Sequence, residues 1–318
     1  MKAFILILAA LPLAAQAPSA LTPSAKAWQV PLTPDGKPDL QGIWTSSTLT
    51  PLERPPELGN KQFFTKEEAA TWTQRLLDAS NRDRRGSSAQ DDVGLAYNEV
   101  WFSRGDTVVP TLRTSLIIDP PDGRIPALTP DGRKRAARID AQRITVPGGP
   151  EDRTLAERCI LWATAGPPMM PGAYNNNYQI VQGPGYVMIV IEMIHDVRVI
   201  PTDGRPHLPA AVRQWMGDSR GHWEGDTLVV DTTNFNDKTN FKGSGGTLHL
   251  TERFRRTAPG QVMYEFTVDD PASFARPWTA QIPMAKSDGP LLEYACHEGN
   301  YAMESMLQGA RKQEREKK

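Results

Sequence analysis

The sequence predicts a mainly β protein: an antiparallel meander that closes into a barrel or folds as a barrel-like sandwich, with two or three helices at its periphery. Three observations lead there. Between Tyr178 and Asn300, short apolar runs alternate with polar residues and are separated by turns, the period-2 pattern of half-buried strands. The 318-residue chain carries 28 Pro and 25 Gly, which suits a loop-rich β fold better than a helical one. Strands that pair in chain order must also hide their edges, and a meander does so by closing on itself.

The elements follow in order. Lys2, the apolar run from Ala3 to Ala15 and the small-residue signal Ala15-Gln16-Ala17 mark residues 1–17 as an export leader too short to span a bilayer. Residues 18–100 are expected to form an extended arm, a first strand at Gly42-Ile43-Trp44 and a helix over 66–79. That helix is announced by the capping box Thr65-Lys66-Glu67-Glu68, in which hydroxyl and carboxylate answer free backbone donors. The charged stretch 81–92 reads as a mobile loop. A β domain is expected over 101–300, with a helix at 130–143 and tight turns at Asp35-Gly36, Asp122-Gly123, Asp131-Gly132 and Asp203-Gly204. Its dense strands are expected at 178–182, 186–200, 227–235, 248–256, 261–269, 278–284 and 291–297. Residues 301–318 then form a C-terminal helix with basic residues in its last turns.

The balance of 36 basic and 37 acidic residues, with no Lys/Arg stripe, argues against a nucleic-acid partner, since such binding rests on neutralising phosphates. No segment after the leader is apolar enough to cross a membrane, so a periplasmic or secreted protein is expected. Cys159 and Cys296 are the only cysteines, and in an oxidising compartment they are expected to form a disulfide. No cofactor is expected, and no metal. His249 and Glu252 sit three apart on a strand and so on opposite faces, and His297-Glu298-Gly299-Asn300-Tyr301 lacks the second His of a zincin helix.

Gly42-Ile43-Trp44 ahead of a β meander resembles the entry motif of lipocalin-type (calycin) barrels, which implies a ligand-holding interior. A longer stretch, from Trp101 to about Arg311, resembles a group of uncharacterised exported bacterial proteins. That likeness rests on residues 113–124, Tyr174-Asn175-Asn176-Asn177-Tyr178, the run from Trp223 to Phe235, and Ala295-Cys296-His297-Glu298-Gly299-Asn300-Tyr301. It implies kinship and no particular chemistry.

Two patterns bear on function. Gly217-Asp218-Ser219-Arg220-Gly221 satisfies the G-x-S-x-G regex of serine hydrolases, but a strand rather than a helix follows it, so Ser219 is read as a turn residue and not a nucleophile. Face parity is the second pattern. It turns His195 inward with Met193, Val197 and Val199, and turns Glu252 inward with Leu248, Leu250 and Phe254. The same parity points Asn234, Tyr264 and Tyr294 into that interior, and Tyr174 and Asn176 lie on a loop at its mouth. Apolar walls with a few placed polar groups are the composition of a small-molecule pocket. The leading expectation is therefore an exported protein that binds a small amphipathic or aromatic ligand through Tyr174, Asn176, Asn234, Tyr264 and Tyr294. The rival is an acid-base enzyme (isomerase, cyclase or hydrolase) using His195 and Glu252.

Overall fold

The computed structural model describes residues 28–83, 88–90, 98–162, 164–239 and 241–316; the expected leader and half of the expected mobile loop lie outside them. Ten strands form a single antiparallel sheet: β1 Gly42–Thr45, β2 Ile117–Asp119, β3 Asn177–Gly183, β4 Tyr186–Ile191, β5 Val197–Pro201, β6 Asp218–Glu224, β7 Thr227–Thr233, β8 His249–Ala258, β9 Gln261–Asp269 and β10 Trp278–Ser287. The hydrogen-bonded order is β5-β4-β3-β1-β10-β9-β8-β7-β6, with β2 paired to β10.

Alternation builds the core. Leu250, Glu252 and Phe254 of β8, Val262, Tyr264, Phe266 and Val268 of β9, and Trp278, Ala280, Ile282 and Met284 of β10 are all fully buried, with the intervening residues on the other face. Rings fill the space between them: Phe254 stacks on Tyr264 at 4.9 Å, and Phe241 stacks on Trp278 at 5.9 Å. β1 completes the sheet from far away in sequence, Trp44 lying opposite Tyr178 on one side and Lys286 on the other.

Helix α1, Lys66–Ser80, starts at the expected capping box. The Thr65 hydroxyl accepts from the Glu68 amide at 3.2 Å, and the Glu68 carboxylate takes the Thr65 amide at 2.8 Å. Helix α2, Pro130–Ile144, is capped by the Thr129 hydroxyl, so Asp131-Gly132 lies in its first turn and not in the tight turn expected. The bare Cα of Gly132 is what lets α2 dock, because a Cβ there would meet the Ser273 carbonyl at 2.5 Å. Helix α3, Tyr301–Glu316, ends the described chain. Among the described residues no helix is long and apolar enough to cross a membrane.

The fold departs from expectation in four further places. The sheet is not closed into a barrel: its ladders end at β5 and β6, with no backbone pairing between them. After an even number of antiparallel steps these two edges point the same way, so the chain needs a crossover to join them, and residues 202–217 supply it. Side chains bridge the seam instead. At its upper end Ile200 and Thr202 approach the bare Cα of Gly221, where a Cβ would meet each at 3.0 Å. The single strand expected over 186–200 is two strands, broken by a turn at Met193–His195 with φ of 65° at Ile194 and 50° at His195. Residues 291–297 are not a strand, being held by the disulfide and by the Glu192 carboxylate, which accepts the Leu292 amide at 3.0 Å. Finally, β6 occupies the place of the expected turn around Ser219.

Candidate functional site

The turn at 193–195 reverses the parity on which the expected pocket rested. Val197 and Val199 face out, 45 % and 57 % exposed, while Arg198 and Ile200 are buried. His195 is exposed in the turn itself, its Nδ1 3.1 Å from the Tyr294 carbonyl oxygen. It shares no interior with Glu252. The strong demand on this strand comes from Glu252, whose buried carboxylate requires a partner, and the residue that meets it is Arg198.

Arg198 crosses the open seam to reach it. Its Nη1 and Nη2 donate to Glu252 Oε1 and Oε2 at 3.0 and 2.6 Å, and Nη2 also lies 3.2 Å from Ser219 Oγ on β6. The Tyr264 hydroxyl donates to Glu252 Oε1 at 2.7 Å and accepts from the Met169 amide at 3.0 Å. Burial pushes the Tyr264 phenol well above its ordinary range, and the Glu252 charge adds to the effect. Burial opposes the Arg198 charge, but Glu252 outweighs it and holds the guanidinium above its usual range. Two of the expected site residues, Glu252 and Tyr264, are thus joined in one fully buried network.

Ser219 belongs to that network. It is a β6 residue whose Oγ touches Arg198 and, at 3.0 Å, Thr232 Oγ1, and no histidine bonds it. Ser219→Ala is expected to cost about 1 kcal/mol, the worth of its hydrogen bonds, and to leave a fluorophosphonate probe without effect on the parent. Covalent labelling of Ser219 would contradict this.

The remaining expected residues are dispersed. Asn176 is buried and pins its own loop, donating to the carbonyls of Ser103 and Gly172 at 2.9 and 3.0 Å. Asn234 follows β7 with φ of 56° and donates to the Leu208 and Pro209 carbonyls of the crossover. Tyr174 and Tyr294 do meet, stacked at 6.4 Å, in a half-buried row that continues to Trp162 and Phe102. Cys159 and Cys296 form the disulfide, and it ties this row to the loop carrying Ile160.

The open seam leaves a cleft of about 600 Å³ where β5 and β6 diverge, lined by Ile160, residues 196–199 and residues 213–219. Arg198 and Ser219 form part of it, so the buried network reaches the cleft. Its outer wall is built in advance: the Gln214 amide bonds the Asn234 carbonyl, the Trp215 carbonyl accepts from Thr239 Oγ1, and Arg213 Nη1 donates to the Phe235 and Gly246 carbonyls at 3.0 and 2.7 Å. A smaller cleft of about 320 Å³ lies between α1 and the loops at 48–52 and 170–172. Its one charged side chain, Arg104, is already held by the Ser80 carbonyl and Glu99.

Outside the cleft, His207 bridges Asp218 and Asp231 at 2.9 Å each, and His249 Nε2 lies 2.5 Å from Asp231. The His207 contacts latch the crossover to β6 and β7, and the His249 contact ties β8 to the same Asp231. Among the described residues no three His, Cys, Asp or Glu side chains are placed to hold a metal ion.

Sequence reasoning missed Arg198, Asp196 and the 213–217 wall. A signal for the first was present: a lone Arg between two valines and followed by Val-Ile is an odd charge in an apolar strand, and a buried Glu elsewhere calls for such a partner. Comparison with known protein families, with curated proteins and with solved structures finds no match to this chain.

Proposed function

We propose that the protein is exported and binds a small amphipathic ligand in the seam cleft, its apolar part against Ile160, Trp215 and Met216 and its polar end toward Asp196 and Ser219. The carrying observation is the cleft itself: a prebuilt opening in a sheet whose ladder stops at β5 and β6, in which Ile160, Trp215 and Met216 stand beside an equal share of polar and charged side chains. Its volume of about 600 Å³ lies in the range of small-molecule sites, and the mixed lining suits a ligand with both an apolar and a polar part. The leader-like residues 1–17 and the disulfide support export.

Binding of neutral phenethyl alcohol, followed by amide chemical shifts, tests the reading. Shifts are expected at residues 197–199 and 213–219. Trp215→Ala should weaken binding at least about ten-fold, as truncation of a buried aromatic anchor does, with the far-UV spectrum unchanged. Shifts confined to the row of Phe102, Trp162, Tyr174 and Tyr294 would move the site there and overturn the cleft assignment.

A further inference from the structure

One carboxylate in the seam cleft has no hydrogen-bonding counterpart among the described residues. Arg198 is matched by Glu252, and Arg213 by two carbonyls and by Asp237 at 3.5 Å. Asp218 is matched by Arg220 at 2.7 Å and by His207. Asp196, the residue before β5, lines the same cleft half-buried, and no described residue donates a hydrogen bond to its carboxylate. Burial raises its pKa by more than the neighbouring His195 lowers it. An ionised Asp196 therefore opposes folding above that raised value, and the penalty is relieved only as pH falls through it toward the unfolded-state pKa. A desolvated carboxylate kept without a partner costs stability, and costs of this kind concentrate at functional sites.

Resting on the cleft reading above, we infer that the seam cleft selects ligands bearing a protonated amine, which Asp196 receives while the ligand's ring or chain lies against Trp215 and Met216. Neutralisation is what the site lacks. A cationic head supplies it together with a charge-assisted hydrogen bond, whereas an anionic head would add a second unpaired negative charge.

Three probes sharing one ring test this on the full exported chain: phenethylamine, phenethyl alcohol and hydrocinnamate, titrated at neutral pH with the amides of residues 197–199 and 213–219 as reporters. The amine is expected to bind about ten-fold more tightly than the alcohol, the usual worth of a hydrogen bond to a charged group, with hydrocinnamate weakest. In Asp196→Asn the amine should fall to the level of the alcohol, while the melting temperature stays the same or rises. Equal affinities in the parent, or an amine preference that survives the substitution, would overturn the charge assignment and leave the cleft reading standing. If none of the probes shifts those amides, the cleft reading falls and this inference with it. A less stable or unfolded Asp196→Asn protein contradicts the inference as well, because it would show that the carboxylate has a structural partner.

Discussion

Arg198→Met is expected to destabilise the protein by about 3–5 kcal/mol, the usual cost of removing one member of a buried ion pair. Glu252 is fully buried and its two oxygens take the guanidinium at 3.0 and 2.6 Å. Without Arg198, Oε2 has no donor left among the described residues and Oε1 keeps only the Tyr264 hydroxyl. The penalty falls at one place in the fold, since Arg198 also carries the contact from β5 across the seam to Ser219 on β6. Urea unfolding of parent and variant measures it as a lower midpoint with an unchanged slope. Adding Glu252→Gln removes the stranded charge and leaves an acceptor for Tyr264, so the double variant should regain part of the loss. An Arg198→Met protein as stable as the parent would show that the pair does not hold the seam.

Removing the disulfide, as Cys159→Ala with Cys296→Ala, is expected to cost about 2–5 kcal/mol. The bridged cysteines are 137 residues apart, and closing so long a loop removes much of the freedom of the unfolded chain. In the folded chain the bridge fastens the 291–297 segment, which has no ladder of its own, to the loop that carries Ile160 into the cleft. Thermal unfolding of the double variant, and of the parent under reducing conditions, should show the same lowered midpoint. Free thiols in the denatured, unreduced parent would contradict the bridge.

The parts of the fold that depend on near neighbours were readable from the chain. Thr65 and Glu68 cap α1 because their partners lie three residues away, and β8 through β10 alternate cleanly over most of their length because each strand has one buried face. The candidate site was readable only in pieces. Glu252 and Tyr264 do face inward together, and a buried carboxylate was bound to have a partner. His195 was misplaced because the turn before β5 uses positive φ at a β-branched Ile and at a His, with no glycine or proline to announce it. One such turn inverts every residue after it. β6 was missed for a different reason: its outer Asp218 lies under the crossover, and its inner Ser219 and Gly221 are small to admit Arg198 and Ile200, so neither face shows the apolar alternation of a strand.

By itself the sequence determined the β class, three helices, the pairing of its two cysteines and the presence of an inward carboxylate and phenol. These follow from periodicity, capping chemistry and residue count, which act over a few residues or admit one solution. The tertiary structure alone decided that the meander stays open, which edge meets which, and where a cleft remains. Those outcomes turn on contacts between residues far apart in the chain: Arg198 with Glu252 across the seam, Trp44 between Tyr178 and Lys286, and the crossover drawn over β6 by Asn234 and His207. Local pattern carries no record of such pairings, because the free energy that fixes them exists only once both partners are in place.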